Sequence, residues 1–486
     1  MKYGRLAQPR LLLWLLLSAG FCRLLSLGLY PLSDKTESRY GEIARIMAET
    51  GNWVTPHIDY GVPFWGKPPL ATWLSAMAIK LFGANEFAVR FPSFALAIGT
   101  VSLVFFLARN QKRKDLALVA SVILCVSPMF FVAGGAVMTD PALVFGTTLS
   151  MVGFYAAVVS GDAFRKLWGY LFFVGLAIGL LSKGPVAVVL TGVPIFFWSA
   201  WQRKWRQVWQ RLPWMSGTAL TLVLTLPWYL LAESRTPGFL DYFIVGEHWK
   251  RFVEPGWEGD LYGGAHSMPR GTVWVLWLLT AFPWSFFVLV SFFFRSGRRR
   301  ISEQMQEDKD WSRYLLLWTI APILLFTLSG NILWTYVLPG IPAFSLLFAT
   351  IWQSKEREQI WFVLRTSNTM FLILFIGVLS LSLDLIPFRT SQKILVDSYN
   401  ETASDGSSLT YVFSRPYSAQ FYSNGKALLL KSVDGDEAIF RNNQVDFLAI
   451  RSRDIMRLPE IVATRLEKQG EYMDGFSLYA EIPAGK

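Results

Sequence analysis

Long apolar runs separated by short basic clusters dominate this chain, and they restrict what it can fold into. A helix needs roughly 20 apolar residues to cross about 30 Å of hydrocarbon. Runs approaching that length lie near 11–30, 91–108, 116–134, 140–160, 167–182, 184–200, 213–232, 271–294, 313–329, 332–352 and 361–386. With 53% hydrophobic and 16% aromatic residues, the 486-residue chain is too apolar for a soluble protein of its length. The expected fold is therefore an all-α polytopic membrane bundle of about 11 transmembrane helices. The stretch 167–200 breaks at Ser182-Lys183-Gly184-Pro185, a tight turn, because Gly-Pro is costly inside a helix. The first run follows Lys2, Arg5 and Arg10 but has no small-residue cleavage site, so it reads as a retained span.

Alternate connections carry the positive charge. Lys2/Arg5/Arg10, Arg109/Lys112/Arg113/Lys114, Arg165/Lys166, Arg203/Lys204/Arg206/Arg211, Arg295/Arg298/Arg299/Arg300 and Lys355/Arg357 mark cytoplasmic loops. The connections between them, near 134–139, 182–185 and 329–331, have at most Lys183, and they face outward. The same alternation puts the long loops 31–90 and 233–270, and the tail, on the outside, which in a bacterium is the periplasmic face of the inner membrane. The net charge of +11 is thus a topology signal and no nucleic acid is expected. Cys22 and Cys125 both sit in apolar runs, which excludes a disulfide framework or a thiolate metal site.

Residues 1–386 form the expected transmembrane domain and 387–486 a small soluble α/β domain. In that tail Leu409–Phe413, Ala427–Leu430, Val445–Ile450 and Phe476–Ile482 read as strands, and Leu458–Lys468 has helical spacing. In the first outer loop, Asp34 and Glu37 fit a capping box before a helix that stops at Gly51, with Tyr40, Ile43 and Met47 on its apolar face and Glu37, Arg39, Glu42 and Arg45 on the rest. A second helix starts at Pro68/Pro69 and ends at Gly83. Both are too short and too charged to span, and they read as juxtamembrane helices lying on the outer surface.

Within these loops stand Thr36-Glu37-Ser38-Arg39-Tyr40-Gly41-Glu42-Ile43-Ala44-Arg45, Gly51-Asn52-Trp53-Val54-Thr55-Pro56-His57 and Lys67-Pro68-Pro69-Leu70. Further along come Thr139-Asp140-Pro141, Ser182-Lys183-Gly184-Pro185, Glu247-His248 with Arg251-Phe252, Pro283-Trp284 and Tyr336-Val337-Leu338-Pro339. In this order, over about residues 10 to 350, the chain resembles the GT-C glycosyltransferases of the protein O-mannosyltransferase and lipid A aminoarabinose transferase superfamily. The resemblance implies inverting transfer of a sugar from a polyprenyl-phosphate carrier to a lipid, glycan or protein acceptor. It also implies an acidic pair directly before the Ser-Arg-Tyr step. Thr36 stands where the first acid belongs, which leaves the catalytic base between Asp34 and Glu37, with Asp34 preferred.

An inverting transfer needs a carboxylate to take the acceptor proton and cations to neutralise the departing phosphate where water is scarce. The resemblance assigns substrate binding to Arg39, Tyr40, Lys67, Asp140, Lys183, His248, Arg251 and Tyr336. Most of these have a plainer reading beside them. Arg39, Lys67 and Lys183 also fit snorkelling charges, Asp140-Pro141 a helix cap, and Tyr336 an interfacial aromatic. Some relatives hold a divalent metal partly through the residue before Lys-Pro-Pro. Here that residue is Gly66, so a metal stays an option with a ligand missing, and His57, His248 and His266 read better as hydrogen-bonding histidines. The rival reading is a transporter or lipid flippase with a charged outer gate, which predicts an internal repeat and mid-membrane charges. No repeat is visible, and the polar residues cluster at span ends on one face.

Overall fold

Each of the apolar runs folds as helix over most of its length. The computed structural model describes residues 4–110, 114–159, 164–264, 266–352, 357–383, 385–386, 390–404, 406–433, 446–472 and 475–482. Lys2, Lys112, Arg113 and Lys355 of the basic clusters, and Val445 of a predicted strand, lie outside the described residues. Helix α1 (Gly4–Ser26) leads to a loop holding α2 (Thr36–Thr50), the hairpin β1 (His57–Asp59) and β2 (Val62–Pro63), and α3 (Leu70–Phe82). Then follow α4 (Glu86–Asn110), α5 (Lys114–Cys125), α6 (Pro128–Ala133), α7 (Asp140–Val158), α8 (Arg165–Lys183), α9 (Val186–Trp201), α10 (Trp205–Arg211) and α11 (Trp214–Arg235). The second loop contains a π-helix (Asp241–Lys250) and α12 (Arg251–Val253). Beyond it lie α13 (Thr272–Thr280), α14 (Trp284–Phe293), α15 (Arg295–Glu307), α16 (Lys309–Thr327), a 3-10 helix (Trp334–Gly340), α17 (Ile341–Trp352) and α18 (Arg357–Ser382).

Among the described residues, 7 helices are long and apolar enough to cross a membrane, and 8 if α13 and α14 count as one span. The chain is a multi-pass membrane protein. Two of the expected spans are not straight. The run 271–294 bends by 115° between α13 and α14, and 116–134 divides before Pro128, which opens α6. Proline alone does not force such a break, since Pro194, Pro227 and Pro322 sit inside α9, α11 and α16.

Helix α7 is the axis of the bundle, with 94% of its span window buried. Its small residues let α8 approach backbone to backbone. A Cβ at Gly146 would lie 2.8 Å from the Gly175 carbonyl and the Gly179 amide, and one at Gly153 2.8 Å from the Phe172 amide. Ser150 donates across this seam to the Phe172 carbonyl at 2.9 Å. Where water is absent, such contacts replace the hydrophobic effect as the force between helices. Because α7 begins at Asp140 and α8 ends at Lys183, the seam brings those two residues side by side at one end of the bundle.

The tail adds α19 (Lys393–Thr402), β3 (Leu409–Val412), α20 (Tyr417–Tyr422), β4 (Leu428–Leu430), β5 (Phe447–Arg451), α21 (Glu460–Ala463), β6 (Leu466–Glu471) and β7 (Phe476–Glu481). The strands form one sheet in the order β4-β3-β5-β7-β6, parallel through β4, β3 and β5 and antiparallel from β5 onward. The helix expected over Leu458–Lys468 is only the four residues of α21, and the rest pairs as β6 with β7.

Helix α2 runs between the predicted ends and stops at Gly51, whose φ of 70° is the left-handed conformation that closes a helix without a Cβ penalty. Tyr40, Ile43 and Met47 are buried as expected, but Glu42 and Arg45 are buried too. Arg45 grips Glu42 through two nitrogens at 2.7 and 2.8 Å. The expected surface helix with a free polar face is therefore corrected: Phe421 of α20 packs on α2 at Gly41, and Tyr60 beside β1 donates to Glu49 and accepts from Arg45.

Candidate active site

At the end of the bundle where Asp140 and Lys183 meet, a cavity of about 140 Å³ opens. Its polar lining is Lys67, Lys183, Glu247, His248, Arg251, Ser329, Asn331, Thr335 and Tyr336; its apolar lining is Leu143, Val186, Leu190, Phe252, Phe326 and Leu333. These residues come from the stretch before α3, the ends of α7, α8 and α9, the second loop and the turn after α16. The site is thus the meeting place of the connections whose lack of basic clusters predicted a common face.

The π-helix gives the cavity its acid. Wide helical turns of this kind are rare and often mark functional sites. Lys67 donates to Glu247 Oε2 at 2.7 Å, and Arg251, one turn on, donates to Oε1 at 2.9 Å. Arg251 also meets Asp260 at 3.1 Å. Burial works to raise the Glu247 carboxyl, but the Lys67 and Arg251 charges outweigh it and hold the group at about 2. His248 fastens the same helix to the bundle, its Nδ1 lying 2.8 Å from the Phe243 carbonyl and its Nε2 2.9 Å from the Lys183 carbonyl. Burial depresses its pKa, opposed by those two carbonyls. The close fit requires Gly184, whose φ is 74° and where a Cβ would stand 2.7 Å from Phe243 and 3.0 Å from His248. Asn331 donates to the Arg251 carbonyl at 2.5 Å and the Glu254 carbonyl at 2.7 Å, tying the turn after α16 to the same element.

The structure brings together Lys67, Lys183, His248, Arg251 and Tyr336 on the cavity. Lys183 donates to Asp140 Oδ1 at 2.7 Å, and its ammonium lies 5.5 Å from the centre of the Tyr336 ring. Tyr40 is buried within electrostatic reach of Lys183, Glu247 and Asp140, and burial raises its pKa. Arg39 lies over the Tyr40 ring and donates to the Tyr262 carbonyl at 2.5 Å, while its buried Nε has no partner among the described residues. Arg39, Tyr40 and Asp140 flank the cavity without belonging to its lining.

Asp34 and Glu37, like Asp140, do not line the cavity. The capping box does not form either, because Lys35 occupies the cap position and no side chain caps the helix. Asp34 turns to the tail instead, accepting from the Ser418 amide at 3.1 Å and from the Ser418 hydroxyl. Glu37 turns inward, where Arg90 grips both its oxygens at 3.0 and 2.8 Å and the amides of Ser33 and Val137 donate to it. Burial would raise the Glu37 pKa, but the Arg90 charge and these hydrogen bonds lower it overall. Arg90 also donates to the carbonyls of Leu27, Tyr30 and Pro31, and Arg23 to Phe131, Val132, Ser26 and Tyr30. Arg23 lies within an apolar run and Arg90 is the last residue of the first outer loop, against the start of the next run, so neither stood out as a partner for the site. Glu247 was visible only as the neighbour of His248, and Asn331 only as part of a turn.

A divalent metal does not fit the donors present. No three His, Cys, Asp or Glu side chains come together among the described residues. Gly66 supplies no ligand, a Cβ there would sit 2.9 Å from the Phe64 ring, and both nitrogens of His248 are taken by carbonyls.

Residues 12–243 match the family described as dolichyl-phosphate-mannose-protein mannosyltransferase. An undecaprenyl phosphate-alpha-4-amino-4-deoxy-L-arabinose arabinosyl transferase of Erwinia tasmaniensis is 30% identical over 72% of this chain and 60% of its own length. One from Pseudomonas fluorescens is 32% identical over 67% of this chain and 56% of its own. The chain therefore spans less than two thirds of the length of these curated relatives. Among solved structures, ArnT from Cupriavidus metallidurans bound to undecaprenyl phosphate superposes with a TM-score of 0.78 at 17% identity, covering 97% of this chain and 98% of that one. The Archaeoglobus fulgidus oligosaccharyltransferase gives 0.52 at 12% identity, covering 91% and 70%. At these identities the likeness is one of fold.

Proposed function

We propose that the chain is a GT-C inverting glycosyltransferase that moves a sugar from a polyprenyl-phosphate carrier to an acceptor at the periplasmic face of a bacterial inner membrane, a reading supported by the family match over residues 12–243 and by the relatives' names. The carrier is undecaprenyl phosphate, a reading supported by the names of the relatives; the acceptor is a lipid, glycan or protein, of which the resemblance to the aminoarabinose transferases favours lipid A. Residues 1–386 carry the reaction, and 387–486 form a periplasmic domain packed on the first loop.

The observation that carries this reading is the mixed lining of one cavity, with Lys67, Lys183 and Arg251 beside Leu143, Val186, Leu190 and Phe326. An anionic head on an apolar chain is the ligand such a site suits. The cations neutralise the phosphate as negative charge grows on the departing oxygen. Tyr336 donates to it, and the apolar wall takes the first prenyl units arriving sideways from the bilayer. Arg39 and Tyr40 flank the sugar, while His248 positions the helix that carries Glu247 and Arg251. These charges gather at helix ends, as suits chemistry at the membrane interface more than passage through it.

Undecaprenyl phosphate binding to the protein in nanodiscs tests the reading. Lys67→Ala with Lys183→Ala is expected to weaken binding at least tenfold. Unchanged affinity in that double variant removes the cavity as the carrier site.

A further inference from the structure

The proposed reaction needs a carboxylate to take the acceptor proton, and the acids near the site differ in how their oxygens are engaged. Glu37 gives both oxygens to Arg90, and Asp34 both to Ser418. Glu247 divides its two between Arg251 and Lys67, and Asp260 between Arg251 and the Tyr262 amide. Asp140 alone of these meets a single partner among the described residues, Lys183, through Oδ1 at 2.7 Å, and its Oδ2 accepts no hydrogen bond from them. That partner is itself a cation lining the cavity.

We propose that Asp140 is the catalytic base, uncovered when the carrier phosphate draws Lys183 away from it. This inference rests on the sugar-transfer reading. Lys183 can serve either anion, and the donor's phosphodiester, singly charged at first and gaining a second charge as its bond to the sugar breaks, competes for it more strongly as the reaction proceeds. Once Lys183 turns to the phosphate, Asp140 is left as an uncompensated carboxylate at the helix end. It takes the proton from the acceptor hydroxyl as that oxygen bonds to the anomeric carbon. The bond from that carbon to the phosphate oxygen breaks, and its electron pair leaves with undecaprenyl phosphate, whose charge Lys183 then balances. Binding of the donor thereby arms the base, which limits wasteful activation of water in the empty site. The seam between α7 and α8 keeps the two side chains within reach throughout.

The experiment measures two quantities on purified protein in nanodiscs: affinity for undecaprenyl phosphate, and its release from a panel of undecaprenyl-phosphate sugars with lipid A as acceptor. Asp140→Asn is expected to bind undecaprenyl phosphate as tightly as the wild type or more tightly, while release falls by about 100-fold or more, the scale of a lost general base. Release above a tenth of wild type in a variant that binds overturns the proposal. Loss of binding together with release overturns it too, because a residue that merely holds Lys183 behaves that way. Should Asp140→Asn show no cooperative melting, Asp140→Asn with Lys183→Gln replaces the ion pair by a neutral one and is read against Lys183→Gln alone; a further fall of release in the double variant is expected, and equal release in the two overturns the base. A wild type that neither binds undecaprenyl phosphate nor releases it from any donor in the panel overturns the sugar-transfer reading itself, whereas a competent wild type beside a competent Asp140→Asn overturns only the base.

Discussion

Replacing Glu247 by Gln separates what the acid does for the fold from what it does for the site. Its carboxyl is 3% exposed and held at about 2, against an ordinary 4.5, by Lys67 and Arg251. At about 1.4 kcal/mol per tenfold in an equilibrium, the charged form is favoured in the fold by roughly 3 kcal/mol more than in the unfolded chain. Since the folded value lies below the unfolded one, that stability is complete above about 4.5 and drains away as the pH falls toward 2. Glu247→Gln removes it at neutral pH and leaves Lys67 and Arg251 facing each other. Thermal unfolding followed by fluorescence, for which the chain offers 21 tryptophans, is expected to show a lower melting temperature for the variant at pH 7 and a smaller difference at pH 3. Undecaprenyl phosphate, as the proposed carrier, supplies the missing negative charge. It is therefore expected to raise the melting temperature of Glu247→Gln by more than it raises the wild type. A variant that melts like the wild type and gains nothing extra from the ligand would refute the picture of an acid occupying the place of the phosphate.

Glu37→Gln leaves Arg90 buried without its counter-charge, and a broken buried pair costs about 3 to 5 kcal/mol; the variant should melt early, yet keep turnover per folded molecule, as an activity corrected for active fraction would reveal. Gly184→Ala puts a Cβ against Phe243 and His248 at a positive φ, a strain of roughly 1 to 3 kcal/mol, and should weaken undecaprenyl phosphate binding by loosening the π-helix. Gly146→Leu forces α7 and α8 apart and is expected to lower both stability and turnover, the first by about 1 to 3 kcal/mol, read by denaturation in detergent. Asp34→Asn is expected to leave turnover within a few-fold of wild type while deuterium exchange quickens in α20, since its partner Ser418 belongs to the tail.

Periodicity made the helices and most tail strands legible, because each is a local pattern of apolar residues. Leu458–Lys468 misled for the same reason. Its spacing suits a helix, but β7 offers an open edge, and pairing there satisfies the backbone of Leu466–Glu471. The cations Lys67, Lys183 and Arg251 were legible as charges in loops expected on one face. What escaped was partnership across long stretches of chain. Nothing local to Glu37 announces Arg90, 53 residues on, and nothing near Asp34 announces Ser418, 384 residues on. An acid at a helix start reads as a cap until tertiary structure offers it a stronger donor. The π-helix was hidden as well, because its sequence has neither the length nor the apolar period by which helices were found.

Gly153 lies 13 residues along α7 from Asp140, about 20 Å at 1.5 Å per residue, yet it helps to gauge the gap between the two helix tips. With no slack in the contact, neither tip can slide to accommodate a larger head group, and only the swing of one lysine remains adjustable. Under the proposed reading, the fit to a lipid head group is in this sense calibrated at a glycine seam well removed from the cavity itself.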